Sequence, residues 1–229
     1  MRTEILFEDD NIIVIYKPPG IATQSKKTWE KDVVSELKNY LMGKGKNKTS
    51  PYISVIHRLD QPVGGLLVFA KDKESAAHLT KDLGTGSLNK DYIALVCGKV
   101  KDKEKTLTDF IAKGKDNKAY ISAKENEPGD FKKAVLDYRV MEEINIKGNI
   151  YTKLKVHIET GRFHQIRCQL ANMGNPVAGD IKYGAPVESK ECVGLSSVGL
   201  WAVSLTFKHP KTYKNMSFHR EPDIKGQKE

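Results

Sequence analysis

The run Gly64-Gly65-Leu66-Leu67-Val68-Phe69-Ala70 contains no polar side chain and is closed by Lys71. An apolar run of strand length is stable only inside a core, so the chain has to build a sheet around it. Directly before it stand His57-Arg58-Leu59-Asp60 and a Pro62–Gly64–Gly65 turn. One carboxylate is thus held between a cation and a turn. Glycine lets a backbone pass close to a ligand, and such a turn can place Asp60 at the floor of a cleft. An isolated Arg-x-Asp is more often a surface ion pair of small energetic weight. A second cluster is needed to give it meaning.

That cluster is Thr160-Gly161-Arg162-Phe163-His164-Gln165-Ile166-Arg167, continuing to Gly174. Thr160 is a candidate N-cap, Gly174 a candidate helix stop, and Ile166 with Leu170 gives an apolar i,i+4 stripe. The spacing puts Arg162, His164 and Arg167 at or near the start of one short helix. A helix N-terminus favours anions, and two arginines there make a phosphate or carboxylate clamp. The competing explanation is a solvated basic face. Arginine at a helix start opposes the dipole, however, which calls for a function to offset the cost.

The remaining pattern is strand-rich. Ile5–Phe7 and Ile12–Tyr16 form an opening hairpin, and Val33, Val34, Leu37, Tyr40 and Leu41 a helical stripe ended by the Gly43–Ser50 loop. Asp72 caps a helix ending near Leu83. Strands follow at Asp91–Val100, Leu107–Ala112, Ala119–Ala123 and Lys133–Val140, then around Leu154–Ile158 and Trp201–Phe207, with a terminal hairpin over Tyr213–Phe218. Hairpin-length connections predict an α+β fold, a mixed but largely antiparallel sheet with flanking helices. Its extent is one domain over residues 1–229, in at most two lobes. The softest stretches are Gly43–Ser50, Lys101–Lys105, Lys113–Asp130 and the tail after Pro222.

The formal net charge of +9 favours a polyanionic partner. Of 32 lysines and six arginines, Arg58, Arg162 and Arg167 fall in the two clusters. Lysine supplies diffuse attraction to phosphate; arginine supplies planar, bidentate and stacking contacts. The three cysteines, Cys97, Cys168 and Cys192, have neither close pairing nor metal-ligand spacing, which points to a reducing compartment and no zinc site. His157-x-Glu159 lacks the Pro-Cys-x-x-Cys of a zinc deaminase. Gly84-Thr85-Gly86 lacks the spacing and ending of a phosphate loop. No signal peptide or membrane-length apolar run is visible, so a cytoplasmic protein with no membrane partner is expected.

The two clusters, with Tyr16-Lys17-Pro18-Pro19-Gly20, Lys90-Asp91-Tyr92-Ile93-Ala94-Leu95-Val96-Cys97-Gly98 and Pro176–Gly184, resemble the RluA-type pseudouridine synthases. Leu205-Thr206-Phe207-Lys208-His209-Pro210 is a weaker fifth block. The resemblance runs in order along nearly the whole chain. Two features depart from it: Val63-Gly64-Gly65 stands where relatives commonly carry Thr-Ser-Gly or a similar triplet, and the first block begins by Tyr16, as in a form without the small N-terminal RNA-binding domain.

The resemblance implies a basic active-site cleft on the sheet and isomerisation of uridine in ribosomal or transfer RNA, with no cofactor, no metal and no obligate protein partner. Asp60 would be the acting carboxylate, by attack on sugar, attack on base or a glycal route. Arg167 would keep it charged. Tyr92 would stack on the turned uracil or take its carbon-five proton, unless it is an ordinary strand aromatic. Arg58 would fill the space left by the extruded base, unless it only pairs with Asp60. His57, Lys17, Arg162, His164 and Lys182 are expected to contact substrate. Two readings from other classes stay open, a non-catalytic RNA-binding relative and a glycosidase-like enzyme. The latter normally needs a second acidic residue, which no motif supplies.

Overall fold

The computed structural model describes residues 3–25, 29–44, 50–122, 124 and 129–222. Parts of the stretches expected to be soft, residues 45–49, 123, 125–128 and 223–229, lie outside the described residues. The chain divides into two compact units, one of residues 1–90 and 202–221, the other of residues 91–201 and 222–229.

In the first unit, β1 (Glu4–Glu8) and β2 (Ile12–Lys17) form the expected hairpin, followed by α1 (Val33–Lys44), β3 (Ser54–Val55), β4 (Gly64–Ala70) and α2 (Lys73–Thr85). Strand order is β1-β2-β4, with β3 also on β4, and every register given for them is antiparallel. All seven residues of β4 are buried, as their composition requires. Ile12, Val14, Leu66 and Val68 pack against Ala76 and Leu79 of α2. The opposite side chains, Ile13, Ile15, Leu67 and Phe69, have no exposed surface either. Asp72 caps α2 by accepting the Ser75 N–H at 2.8 Å, and Gly86 closes it in the left-handed conformation.

In the second unit lie β5 (Asn89–Cys97), β6 (Glu104–Lys113), β7 (Ala119–Ser122), β8 (Lys132–Ile146), β9 (Asn149–Ile158), α3 (Gln165–Asn172), a 3-10 turn (Ile181–Tyr183) and α4 (Ser189–Cys192). The strand order is β5-β9-β8-β6-β7, antiparallel throughout. α3 covers one face through Cys168, against Ile111, Ala119 and Ala134. β8 runs past the expected Val140 end: a bulge between Val140 and Glu142 is followed by a ribbon closed at Lys147-Gly148. Both turn residues have positive φ, 52° and 82°, the backbone of a tight two-residue hairpin.

The chain returns through β10 (Leu200–Lys208) and β11 (Asn215–His219), which pair with each other; the hairpin expected within Tyr213–Phe218 is instead one strand on β10. The turn between the two strands explains the His209-Pro210 block in structural terms. His209 Nδ1 accepts the Lys211 and Thr212 N–H groups, and its Nε2 meets Asp9 Oδ2 at 2.7 Å.

Gly65 was expected to give a ligand room. Its φ is +131°, and a Cβ there would lie 2.4 Å from the Ala202 carbonyl oxygen and 2.5 Å from the Ala202 nitrogen. What passes close is strand β10. Gly65→Ala is therefore expected to destabilise the chain by at least the ~1–3 kcal/mol of an overpacked core site, read as a lower denaturation midpoint. An unchanged midpoint would contradict the close approach.

Candidate active site

The turn carrying Asp60 follows β3 and leads into β4. Four hydrogen bonds around it fix the backbone without using the Asp60 side chain. The Thr23 hydroxyl donates to the Leu59 carbonyl at 2.9 Å and accepts the Leu59 N–H at 3.2 Å. The Gly20 N–H donates to the Gln61 carbonyl, and the Val63 N–H to that of Asp60. Asp60 itself is half-buried and Arg58 exposed.

Lys17 was expected at the substrate. The structure places it at 0% exposure, with its ammonium donating to the carbonyls of Ile21 at 2.7 Å and of Pro18 and Gln61 at 3.2 Å. Burial draws its pKa down to about 8, opposed by the charge of Asp60. A side chain with no surface and three backbone acceptors staples the 17–21 loop to the Asp60 turn. It supports the turn rather than reaching for phosphate.

His57 is also buried, and among the described residues neither ring nitrogen has a hydrogen-bond partner. Burial, then the neighbouring Lys90 cation, pushes its pKa well below the usual histidine range. Lys90, buried as well, is drawn down to about 8 by desolvation. His57 is therefore a neutral element of the wall behind the Asp60 turn, which corrects its expected place at the substrate surface. The unfolded chain takes a proton on His57 near its ordinary value of 6.5 and the folded chain does not. Unfolding then binds more protons, so stability falls as pH drops below about 6.5. Thermal melts between pH 7 and 5 should show this slope and lose part of it in His57→Phe. An identical slope in the variant would contradict the burial of a neutral ring.

In the second unit Tyr92 is buried in β5, opposite Val156 of β9. Its neighbour Asp91 points to the other face, where it meets His157 Nδ1 at 2.8 Å and Lys155 Nζ at 3.2 Å. A shallow groove lined by Thr106, Asp137, Arg139, Lys155 and His157 is associated with that outer row rather than with Tyr92.

The turn before α3 is built differently from expectation. Thr160 is not the N-cap: α3 starts at Gln165, with His164 in the cap position and no side-chain cap. The Gln165 side chain does the organising, accepting the Thr160 hydroxyl at 2.8 Å and the Arg162 N–H at 3.0 Å and donating to the Val135 carbonyl at 3.0 Å. Arg162 consequently sits on the exposed turn, its Nε donating to the Lys133 carbonyl. His164 has a left-handed backbone, φ 51°, uncommon for a residue other than glycine. It stacks on Phe163 at 3.8 Å.

Tyr183 orients that histidine. Its hydroxyl oxygen accepts the Ala119 N–H at 2.8 Å and lies 2.7 Å from His164 Nδ1. Burial, partly opposed by the Ala119 bond, raises its pKa to about 12, so the hydroxyl keeps its proton. Lys182 is exposed and donates to the Asn117 carbonyl. Lys113 and Lys118 lie over the Phe163 and Tyr183 rings, adding cations around the same turn.

Arg167, in the first turn of α3, is buried rather than part of an exposed clamp. Its Nε and Nη2 donate to Asp180 at 2.6 and 2.8 Å, with the two side chains only 5% and 1% exposed. Its guanidinium carbon lies 5.1 Å from the Tyr183 ring centre. Asp180, Tyr183, Gln165 and Thr23 were not singled out from sequence for these roles. The only hint for Asp180 is its place in Gly179-Asp180 before Lys182-Tyr183-Gly184. The structure thus gathers Lys17, His57, Arg58 and Asp60 in the first unit, and Tyr92, Arg162, His164, Arg167 and Lys182 in the second.

The sequence pattern of the family described as RNA pseudouridylate synthase matches residues 11–172. The chain belongs to this family. It is 30% identical, over 97% of its length, to ribosomal large subunit pseudouridine synthase C of Haemophilus influenzae, and covers 66% of that protein, just under two thirds. It is 28% identical to tRNA pseudouridine synthase C of Haemophilus ducreyi, covering 95% of this chain and 90% of the relative. Human RNA pseudouridylate synthase domain containing 1 superposes on 96% of the chain and 83% of its own with a TM-score of 0.76 at 21% identity, which establishes the pseudouridine synthase fold. Among the described residues no helix is long and apolar enough to cross a membrane.

Proposed function

We propose that this chain isomerises one or more uridines of structured ribosomal or transfer RNA to pseudouridine. The observation that carries the reading is the family match over residues 11–172, a span that includes Asp60, Tyr92 and Arg167. In this reading the glycosidic bond of the target uridine breaks, the uracil turns, and the base rejoins the ribose through carbon five. No electrons or groups leave the substrate, so the reaction calls for no cofactor. Asp60 is the acting carboxylate, Tyr92 lies against the turned base, and Arg167 supplies the fixed positive charge. Arg58, exposed on the Asp60 turn, replaces the flipped base in the stack. Extrusion costs a few kcal/mol, which a planar guanidinium recovers in part by stacking. Arg162, His164 and Lys182 hold flanking phosphates, and their attraction weakens as salt rises. Lys17 and His57 act through the backbone and wall of the Asp60 turn. The protein works in the cytoplasm, where these RNAs are.

The test is a comparison of pseudouridine maps of ribosomal and transfer RNA from cells with and without the protein. Disappearance of one or a few pseudouridines, restored by the wild-type chain, supports the reading. Identical maps would favour an RNA-binding relative without activity.

A further inference from the structure

Trp29 is 81% exposed, whereas the second tryptophan, Trp201, is buried. A single exposed apolar side chain is ordinary, but the described residues on either side of this one are held by a set of hydrogen bonds. Ala22 bridges Asp32, and the Val33 and Val34 N–H groups donate to the carbonyls of Ala22 and Thr23. Buried Asp32 accepts the Ser25 N–H at 2.6 Å and the Ser35 N–H at 2.7 Å. The Ser25 hydroxyl reaches Glu30 at 2.7 Å. Thr23, at the neck of the loop, is the residue that grips Leu59, next to Asp60. Trp29 thus stands in solvent four residues after Ser25 and three before buried Asp32, close in the chain to Thr23 and its bonds to the Asp60 turn, and Lys31, two residues on, is exposed as well.

An indole is the strongest aromatic stacker and offers its face to any base, and a neighbouring ammonium suits a phosphate. On the reading that the chain acts on RNA, we infer that Trp29 is a stacking platform for an unpaired base of the stem-loop bound at Asp60. It selects RNAs with a splayed base near the target uridine, since a base inside a duplex cannot present its face. The contact is one of binding and selection, outside the reacting atoms.

The test uses the purified full chain and a stem-loop that it modifies or binds. Saturating RNA should quench indole emission of the wild type and of Asp60→Asn, and should quench Trp29→Phe far less, because Trp201 is buried. Trp29→Ala should raise Kd and KM for the stem-loop roughly 5- to 150-fold, the range measured for loss of one base–aromatic stack. Trp29→Tyr should recover most of this, and a fully paired duplex should bind wild type and Trp29→Ala alike. A melting temperature equal to that of the wild type guards against misfolding. Emission unchanged by saturating RNA, or Trp29→Ala within twofold of wild type on the stem-loop, would overturn the platform. Product formation by the wild type decides the functional reading separately. Product with Trp29→Ala unaffected removes the platform alone, and quenching without product removes the reading alone.

Discussion

Asp60→Asn should lower pseudouridine formation by at least about a thousandfold, the scale on which loss of a chemically acting side chain is felt, while stem-loop RNA still binds. Asparagine matches aspartate in shape, and hydrogen bonds of Thr23, Gly20, Val63 and Lys17 fix the turn. The backbone should therefore keep its course, and the loss should fall on the chemistry. Binding depends on lysines and arginines around phosphates, so removing one negative charge should leave affinity the same or slightly higher. Rates and salt-dependent binding measured side by side check this. A variant that has lost RNA binding in parallel with activity would assign Asp60 a structural role.

Asp180→Ala should cost the fold about 3–5 kcal/mol, the usual consequence of removing one partner from a buried ion pair. The two short bonds from Arg167 are made where water does not reach, and truncation leaves that side of the guanidinium without its carboxylate. For a chain of this size the loss corresponds to a melting point lower by roughly 6–20 °C. Asp180→Asn should fall between the two, because it can still accept a hydrogen bond but carries no charge. A shift of only a degree or two in Asp180→Ala would mean that Arg167 is held chiefly by its other surroundings.

Much of the architecture was legible because single patterns controlled it. β4 is apolar throughout and is buried on both faces, and Asp72 caps α2 where its place before a helical stripe puts it. The outer half of β8 and β9 was not legible, since Glu142, Glu143 and Asn145 give it no apolar alternation and it is paired as a ribbon. β3 spans two residues, too few to carry a period. The site was legible as a set of motifs, less so as a set of roles. Lysine is almost never fully buried, so nothing in Lys17 announces three carbonyl partners, one of them 44 residues away. Thr160 resembles a cap, but its hydroxyl donates to Gln165, which ties up the turn before α3, and the helix has no side-chain cap. Arg167 reads equally well as an exposed clamp or a buried ion, and only the fold brings Asp180 to it.

The most direct measurement is conversion by the purified chain of unmodified ribosomal and transfer RNA transcripts, without added metal or cofactor, mapped at single-nucleotide resolution. The account predicts pseudouridine at one or a few uridines with the wild type and none with Asp60→Asn, although both proteins bind the same RNA. Binding by both without conversion of any uridine would contradict it.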